Sequence, residues 1–400
     1  MSIKKFIFLI TALLYILNLV FPLFGDVFSI PVWLPSLSTF AIMLLLYPKA
    51  FANKVIFWFL VYAFVLAAYA FAGRYLTIGI GRVGSIKKMF IEFAFILPSI
   101  SIFGILCYLK DFDLTKKLVS WSIFILFISF IVAVPLLVQY SSIRQALWEE
   151  NSEEALSIPG LPSYSLMHSY VMILAAIGYF VRVSKGKKKI IPLILLLVLS
   201  FVIYDTFVTT SLVVMILVLL FTIFYSKDNI IPLSIVFGLL LILYESGFFV
   251  TIIDWILPAF RNMPVEEKLI DFKTSILQGS ITGGTLTGRM GYHALSMRSF
   301  LSNPIFGTSV VGGHSTLLDR FGGLGLVCGI PYVMMIISFV RQSEKELKTR
   351  MAKAFFWVGV IVALIFMYSK GNWGAESWLM FVVLMPSSIY VFECQSQIRF

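Results

Sequence analysis

Charge is scarce in this chain. Of its 400 residues only 13% are Asp, Glu, Lys or Arg while 60% are hydrophobic, too little polar surface to coat a water-soluble body. The mean hydropathy of +0.97 excludes the two or three soluble domains that the length would otherwise predict. Cysteine is almost missing. Cys107, Cys328 and Cys394 share no metal-ligand spacing; two fall in apolar runs and one in the terminal tail, so neither a disulfide frame nor a zinc site is expected. No small-residue cleavage site follows the first apolar run, which begins after Lys4 and Lys5, so that run reads as an anchor that stays. No internal repeat and no low-complexity tract stands out.

What is present is a series of apolar runs of roughly 16–22 residues, the length of a helix that crosses a hydrocarbon core. They fall at 6–24, 27–47, 55–72, 89–109, 118–138, 164–183, 190–207, 208–225, 230–250, 321–340, 354–369 and 377–392. This predicts an all-α polytopic membrane protein of about 12 transmembrane helices, a single transmembrane domain over 1–400 with both termini cytoplasmic. Prolines within the runs, among them Pro98, Pro135, Pro331 and Pro386, mark kinks that bundle packing tolerates. The net charge of +11 does not point to nucleic acid, because most Lys and Arg sit in short loops, as the positive-inside rule expects of a cytoplasmic face.

Two basic stretches break that rule. One is 74–88, with Arg74, Arg82, Lys87 and Lys88 among glycines. The other is the long outer loop 251–320 between the ninth and tenth runs, with short interfacial helices expected around 266–277. Positive charge held on the outer side against the usual bias points to an anionic ligand there.

The residues able to do chemistry gather between Gly288 and Gly329. His314 follows Gly312 and Gly313, which let backbone approach a ligand closely, and it can take a proton near neutral pH. On a helix, Arg289, His293 and Ser296 share one face while Arg298 points away. Arginine suits a diphosphate because its planar fork donates two hydrogen bonds at once. Asp319 is placed either to orient His314 or to pair with Arg320, and a local ion pair is the commoner use. Acidic residues near outer helix ends, including Glu92 and Glu376, are expected to face the bundle, Glu92 pairing with Lys88 at i−4. Asp111 and Asp113 spell a metal–nucleotide-sugar pattern, but their lysine-rich loop is expected on the cytoplasmic face, which makes the match a chance one.

The run Asn303-Pro304-Ile305-Phe306-Gly307, then Gly313-His314-Ser315-Thr316-Leu317-Leu318-Asp319 and a Gly-rich start to the next span, resembles the bacterial polysaccharide polymerases of the Wzy type and their relatives, the O-antigen ligases. The resemblance implies a GT-C-like glycosyltransferase without metal or cofactor, facing outward from the bacterial cytoplasmic membrane. Its donor would be a glycan on undecaprenyl diphosphate, and its other partners membrane lipid, a chain-length regulator and a flippase. It implies a catalytic set of His314, Arg289 and Asp319, and a substrate-binding set of Arg298, His293, Tyr292, Arg320, Arg74, Arg82 and Ser315. His314-Ser315 and Gly325 fit the ligases' base motif, whereas Cys328 stands at a position of small residues or Tyr. Thr209-Thr210-Ser211 replaces the Arg-rich motif of the family's tight outer turn, which shifts weight to Arg289, Arg298 and the 74–88 group. The Gly-Gly-His-Ser form is closer to the polymerases than to the ligases. A lipid-linked-oligosaccharide flippase is the alternative from another class.

Overall fold

The computed structural model describes residues 1–21, 23–24, 33–73, 77–78, 82–83, 86–139, 164–205, 209–225, 248–261, 266, 269–270, 273, 284–369 and 373–397. Among them helices dominate: α1 (Ile3–Val20), α2 (Trp33–Leu46), α3 (Lys54–Phe71), α4 (Ile86–Leu109), α5 (Phe112–Gln139), α6 (Tyr164–Val183), α7 (Ile190–Asp205), α8 (Thr209–Phe224), α9 (Phe248–Ile256), α10 (Gly284–Ser302), α11 (Thr316–Glu346), α12 (Arg350–Ser369) and α13 (Ala375–Gln397). Eight of these, α1, α3, α4, α5, α6, α11, α12 and α13, are long and apolar enough to cross a membrane, and α2 and α8 are shorter apolar helices. Of the run expected at 230–250, residues 230–247 lie outside the described residues and 248–250 open α9.

The burial pattern is that of a membrane bundle. On α3, Phe57, Leu60, Phe64 and Phe71 recur along one face and stay exposed, Phe64 at 76% and Phe71 at 93%. Water would penalise such a stripe; hydrocarbon does not. The opposite face of α3, with Phe59, Tyr62, Leu66 and Tyr69, packs along α11. A second centre forms around α6, which touches α7, α8, α12 and α13 and has 83% of its span buried. Gly178 allows that density, since a Cβ there would come within 2.4 Å of Thr222 Oγ1 on α8. Segments of α13 touch both α6 and α4, so one core joins the two centres.

Pro98, Pro135 and Pro331 do lie inside helices, and α13 carries a π-helical stretch, Leu379–Leu384, just before Pro386. Cys394, expected in a tail, lies within α13 because the helix continues to Gln397; all three cysteines are free. Asp111 does structural work: it caps α5 by accepting from Leu114 N at 3.0 Å and pairs with Lys5 Nζ at 2.5 Å. The Lys5 ammonium holds its carboxyl below the usual carboxylate range. Glu393, 1% exposed on α13, accepts from the backbone N–H groups of Lys348 and Thr349 and so ties the α11–α12 turn to the bundle.

Candidate functional site

The site is built on the end of the bundle where α10 runs into α11. The sequence there is poor in strong helix formers and rich in glycine, and the chain between the helices becomes a shaped connector rather than a continuous helix. The decisive feature is a break inside α11. Gly325 takes φ 65 and ψ −167, a conformation essentially restricted to glycine. The break frees backbone groups on both sides, and the connector 304–309 takes them up. Thr308 N donates to Gly322 O at 3.1 Å and Ser309 N to Gly323 O at 3.0 Å, while Leu326 N donates to Pro304 O at 2.8 Å and Val327 N to Ile305 O at 3.2 Å. Tyr69 of α3 donates to Phe306 O at 3.0 Å and to Leu324 O at 3.1 Å. Contact is so close that a Cβ on Gly325 would sit 2.3 Å from Ile305 O. The Asn303–Gly307 run is thus the plug of a discontinuous helix, which satisfies polar backbone that lipid could not.

From this plug the chain passes through β3 (Val310–Val311) to the Gly-Gly-His turn. β3 pairs in parallel with β1 (Thr77–Ile78), registering Thr77 with Val310 and Ile78 with Val311, and β1 pairs antiparallel with β2 (Arg82–Val83). The two basic segments that stood out in the sequence therefore meet: the backbone of Arg82 is two strands away from the strand that leads into His314. Arg74 lies outside the described residues.

The turn is anchored on α10 by a buried polar knot. Ser296, fully buried, donates to Asp319 Oδ1 at 2.6 Å and accepts from Gly312 N at 2.9 Å. Asp319 Oδ2 accepts from Ser315 N at 3.3 Å, and Ser315 caps α11 by accepting from Leu318 N at 3.1 Å. A Cβ on Gly312 would lie 2.2 Å from Tyr292 O, so that glycine is required by close approach to α10. The half-buried His314 stacks its ring on Tyr292 at 4.4 Å and 30°. His293 Nε2 lies 3.4 Å from the His314 carbonyl oxygen, within donating reach, and its ring meets Tyr368 of α12 at 5.0 Å.

The expected residues divide. His293, Tyr292, His314, Ser315 and Asp319 are brought together. Arg298 is exposed on the face of α10 turned away from Ser296, and the side chain of Arg289 is outside what is described. Asp319 takes neither of its two expected partners: it holds the backbone of the turn, and Arg320 goes elsewhere. Adjacent helical residues point about 100° apart, so Arg320 turns into the bundle, where its Nη2 meets Glu92 Oε1 of α4 at 2.7 Å with its side chain 13% exposed. Arg320 thus lies within the bundle and Glu92 pairs with it across helices; the side chain of Lys88, the expected partner of Glu92, is outside what is described. The Arg320 guanidinium lies 5.8 Å from the Tyr332 ring, which contacts Tyr62 of α3 at 5.3 Å. Arg320 Nε and the Tyr62 and Tyr332 hydroxyls have no hydrogen-bond partner among the described residues.

Sequence reasoning missed two further features. His168 of α6 is buried, with Nδ1 2.8 Å from Ser211 Oγ in the first turn of α8, beside Thr209 and Thr210. The Glu92–Arg320 bridge was also missed; its signal was a carboxylate one turn into the run 89–109 and an arginine directly before the run 321–340. Among the described residues no group of three His, Cys, Asp or Glu is placed to hold a metal ion.

The fold and the exposed apolar faces define the class: the chain is an all-α, multi-pass membrane protein. No protein-family model matches it, and no curated protein matches it in sequence.

Proposed function

We propose that this protein is a membrane glycosyltransferase of the polysaccharide-polymerase kind, joining repeat units carried on undecaprenyl diphosphate at the outer face of the bacterial cytoplasmic membrane. In this reading the fold is GT-C-like with about 12 spans and cytoplasmic termini. His314 removes the proton from the acceptor hydroxyl. Its ring stacks on Tyr292 and its backbone is fixed by the Ser296–Asp319 knot, so the imidazole is presented without reorganisation. Arg289, Arg298 and the basic 74–88 segment neutralise the departing diphosphate; Asp319 acts as a positioning residue.

The observation that supports this most is the pairing of β1 with β3, which draws the backbone of one basic outer segment to the strand entering the histidine turn. An anionic donor and a base would then share one neighbourhood. The test is His314→Ala expressed in a deletion strain. Long-chain polysaccharide should disappear while protein level stays at that of wild type; normal chain lengths would remove the base.

A flippase is favoured by one observation, the discontinuous helix at Gly325 with a half-buried Glu92–Arg320 pair, since transporters place broken helices at their binding sites. Here, however, the groups freed at the break are taken up by 304–309 rather than left facing a substrate. Where single repeat units accumulate in the deletion strain separates the readings: outside without a polymerase, inside without a flippase.

A further inference from the structure

At the other end of α11, roughly 40 Å along its path from Asp319 at about 1.5 Å per residue, lies a cavity that the proposed chemistry does not use. It is walled by α4, α5, α11 and α13, with Phe103, Leu106, Leu347 and Pro386 among its apolar lining. Its empty volume, counted with the open solvent at its mouth, is about 570 Å³.

Three observations identify what fits. First, its rim lies at the level where spans end. Lys110 directly follows the span that closes at Leu109, and Glu346 is the last residue of the span Thr316–Glu346. A ligand there sits at the headgroup layer with its apolar part alongside the core. Second, the rim carries both signs of charge: Lys110 Nζ and Glu346 Oε1 stand 3.9 Å apart, with side chains 72% and 44% exposed. The separation is long for an ion pair and the partners are wet, so each is available to another ion. Lys110 is also held at φ 47, a left-handed conformation uncommon outside glycine. Third, the lining includes Ser343, 5% exposed, whose Oγ has no hydrogen-bond partner among the described residues.

We propose that this cavity binds a zwitterionic phospholipid with a primary ammonium headgroup, of the phosphatidylethanolamine class. Its phosphate meets Lys110, its ammonium meets Glu346, an ester oxygen accepts from Ser343, and one acyl chain lies along Phe103, Leu106 and Pro386. A purely anionic lipid would set its charge against Glu346; the zwitterion satisfies both rim residues.

The test is native mass spectrometry of the full chain in detergent, titrated with phosphatidylethanolamine and phosphatidylglycerol of identical acyl chains. The wild type should retain the ethanolamine lipid about tenfold more strongly, the size of one charge-assisted contact. Glu346→Lys, a change at a half-exposed rim, should invert that preference, and Ser343→Phe should fill the cavity and remove both adducts. Equal retention of the two lipids by the wild type would overturn the proposal. So would an unmoved ratio in Glu346→Lys, which remains readable should Ser343→Phe fail to fold. Free phosphoethanolamine holding as tightly as the lipid would overturn the acyl-chain placement.

Discussion

Ser296 and Asp319 sit on different helices and share a 2.6 Å hydrogen bond, with the Gly312 N–H donating to the same serine oxygen at 2.9 Å. One small hydroxyl therefore connects α10, the α11 carboxylate and the glycine turn before His314. Ser296→Ala leaves a buried carboxylate oxygen and a buried N–H each short of a partner. The expected cost is about 1–3 kcal/mol, read as lower melting temperature in detergent. Under the proposed polymerase reading, a larger effect is expected on chain-length distribution, because the histidine turn loses its tether. Wild-type polymer with lowered stability would make the knot purely structural.

The Glu92–Arg320 bridge links α4 to α11 at 2.7 Å inside the bundle. Glu92→Gln leaves a guanidinium only 13% exposed without its counter-charge; with Glu92 itself 26% exposed, the cost is expected to stay below the about 3–5 kcal/mol of a fully buried pair. Glu92→Leu with Arg320→Met, which removes both charges, should recover most of that loss. A double variant no more stable than the single one would show that the attraction itself, and not the stranded charge, sets the cost.

Gly325→Ala places a Cβ 2.3 Å from Ile305 O on a backbone at φ 65. Strain alone costs about 1–3 kcal/mol, and the clash expels the 304–309 plug, so little folded protein is expected on gel filtration. Gly291→Ala is the control: it lies within α10 with nothing within 4 Å of the new methyl. It should be neutral or stabilising by up to about 1 kcal/mol.

Asp111 gives a pH signature. Its folded carboxyl is held down by Lys5, so the stability it contributes is present above the unfolded carboxylate range near 3.9 and is lost as pH falls through the folded value. Asp111→Asn keeps an acceptor for Leu114 N but loses the charge. Wild type should exceed it by about 1 kcal/mol or less at pH 7, with the difference shrinking as pH falls below the unfolded carboxylate range. Thermal melts of the two proteins across that range check the sign.

Much of this architecture was legible from residue order. Apolar runs located the long helices, because backbone in hydrocarbon must satisfy itself within the segment. The one-face spacing of Arg289, His293 and Ser296 anticipated α10. Less legible was the use of single polar residues. Asp319 was expected beside His314 or Arg320 and instead supports a turn, while Arg320 crosses to α4. Ser296 drew notice only as a place on a helix face, yet it centres the knot. A hydroxyl carries no hydropathy signal that distinguishes it from a solvated one.

The sequence by itself determined that this is a bundle of membrane helices with its unusual polar residues crowded late in the chain, since hydropathy and charge are summed along the chain. Only the tertiary structure decided that residues 77–78 pair with 310–311, that 304–309 closes the gap at Gly325, and that Glu92 answers Arg320. Those pairings depend on which helix faces meet, and a one-dimensional pattern holds no record of that until the helices have packed.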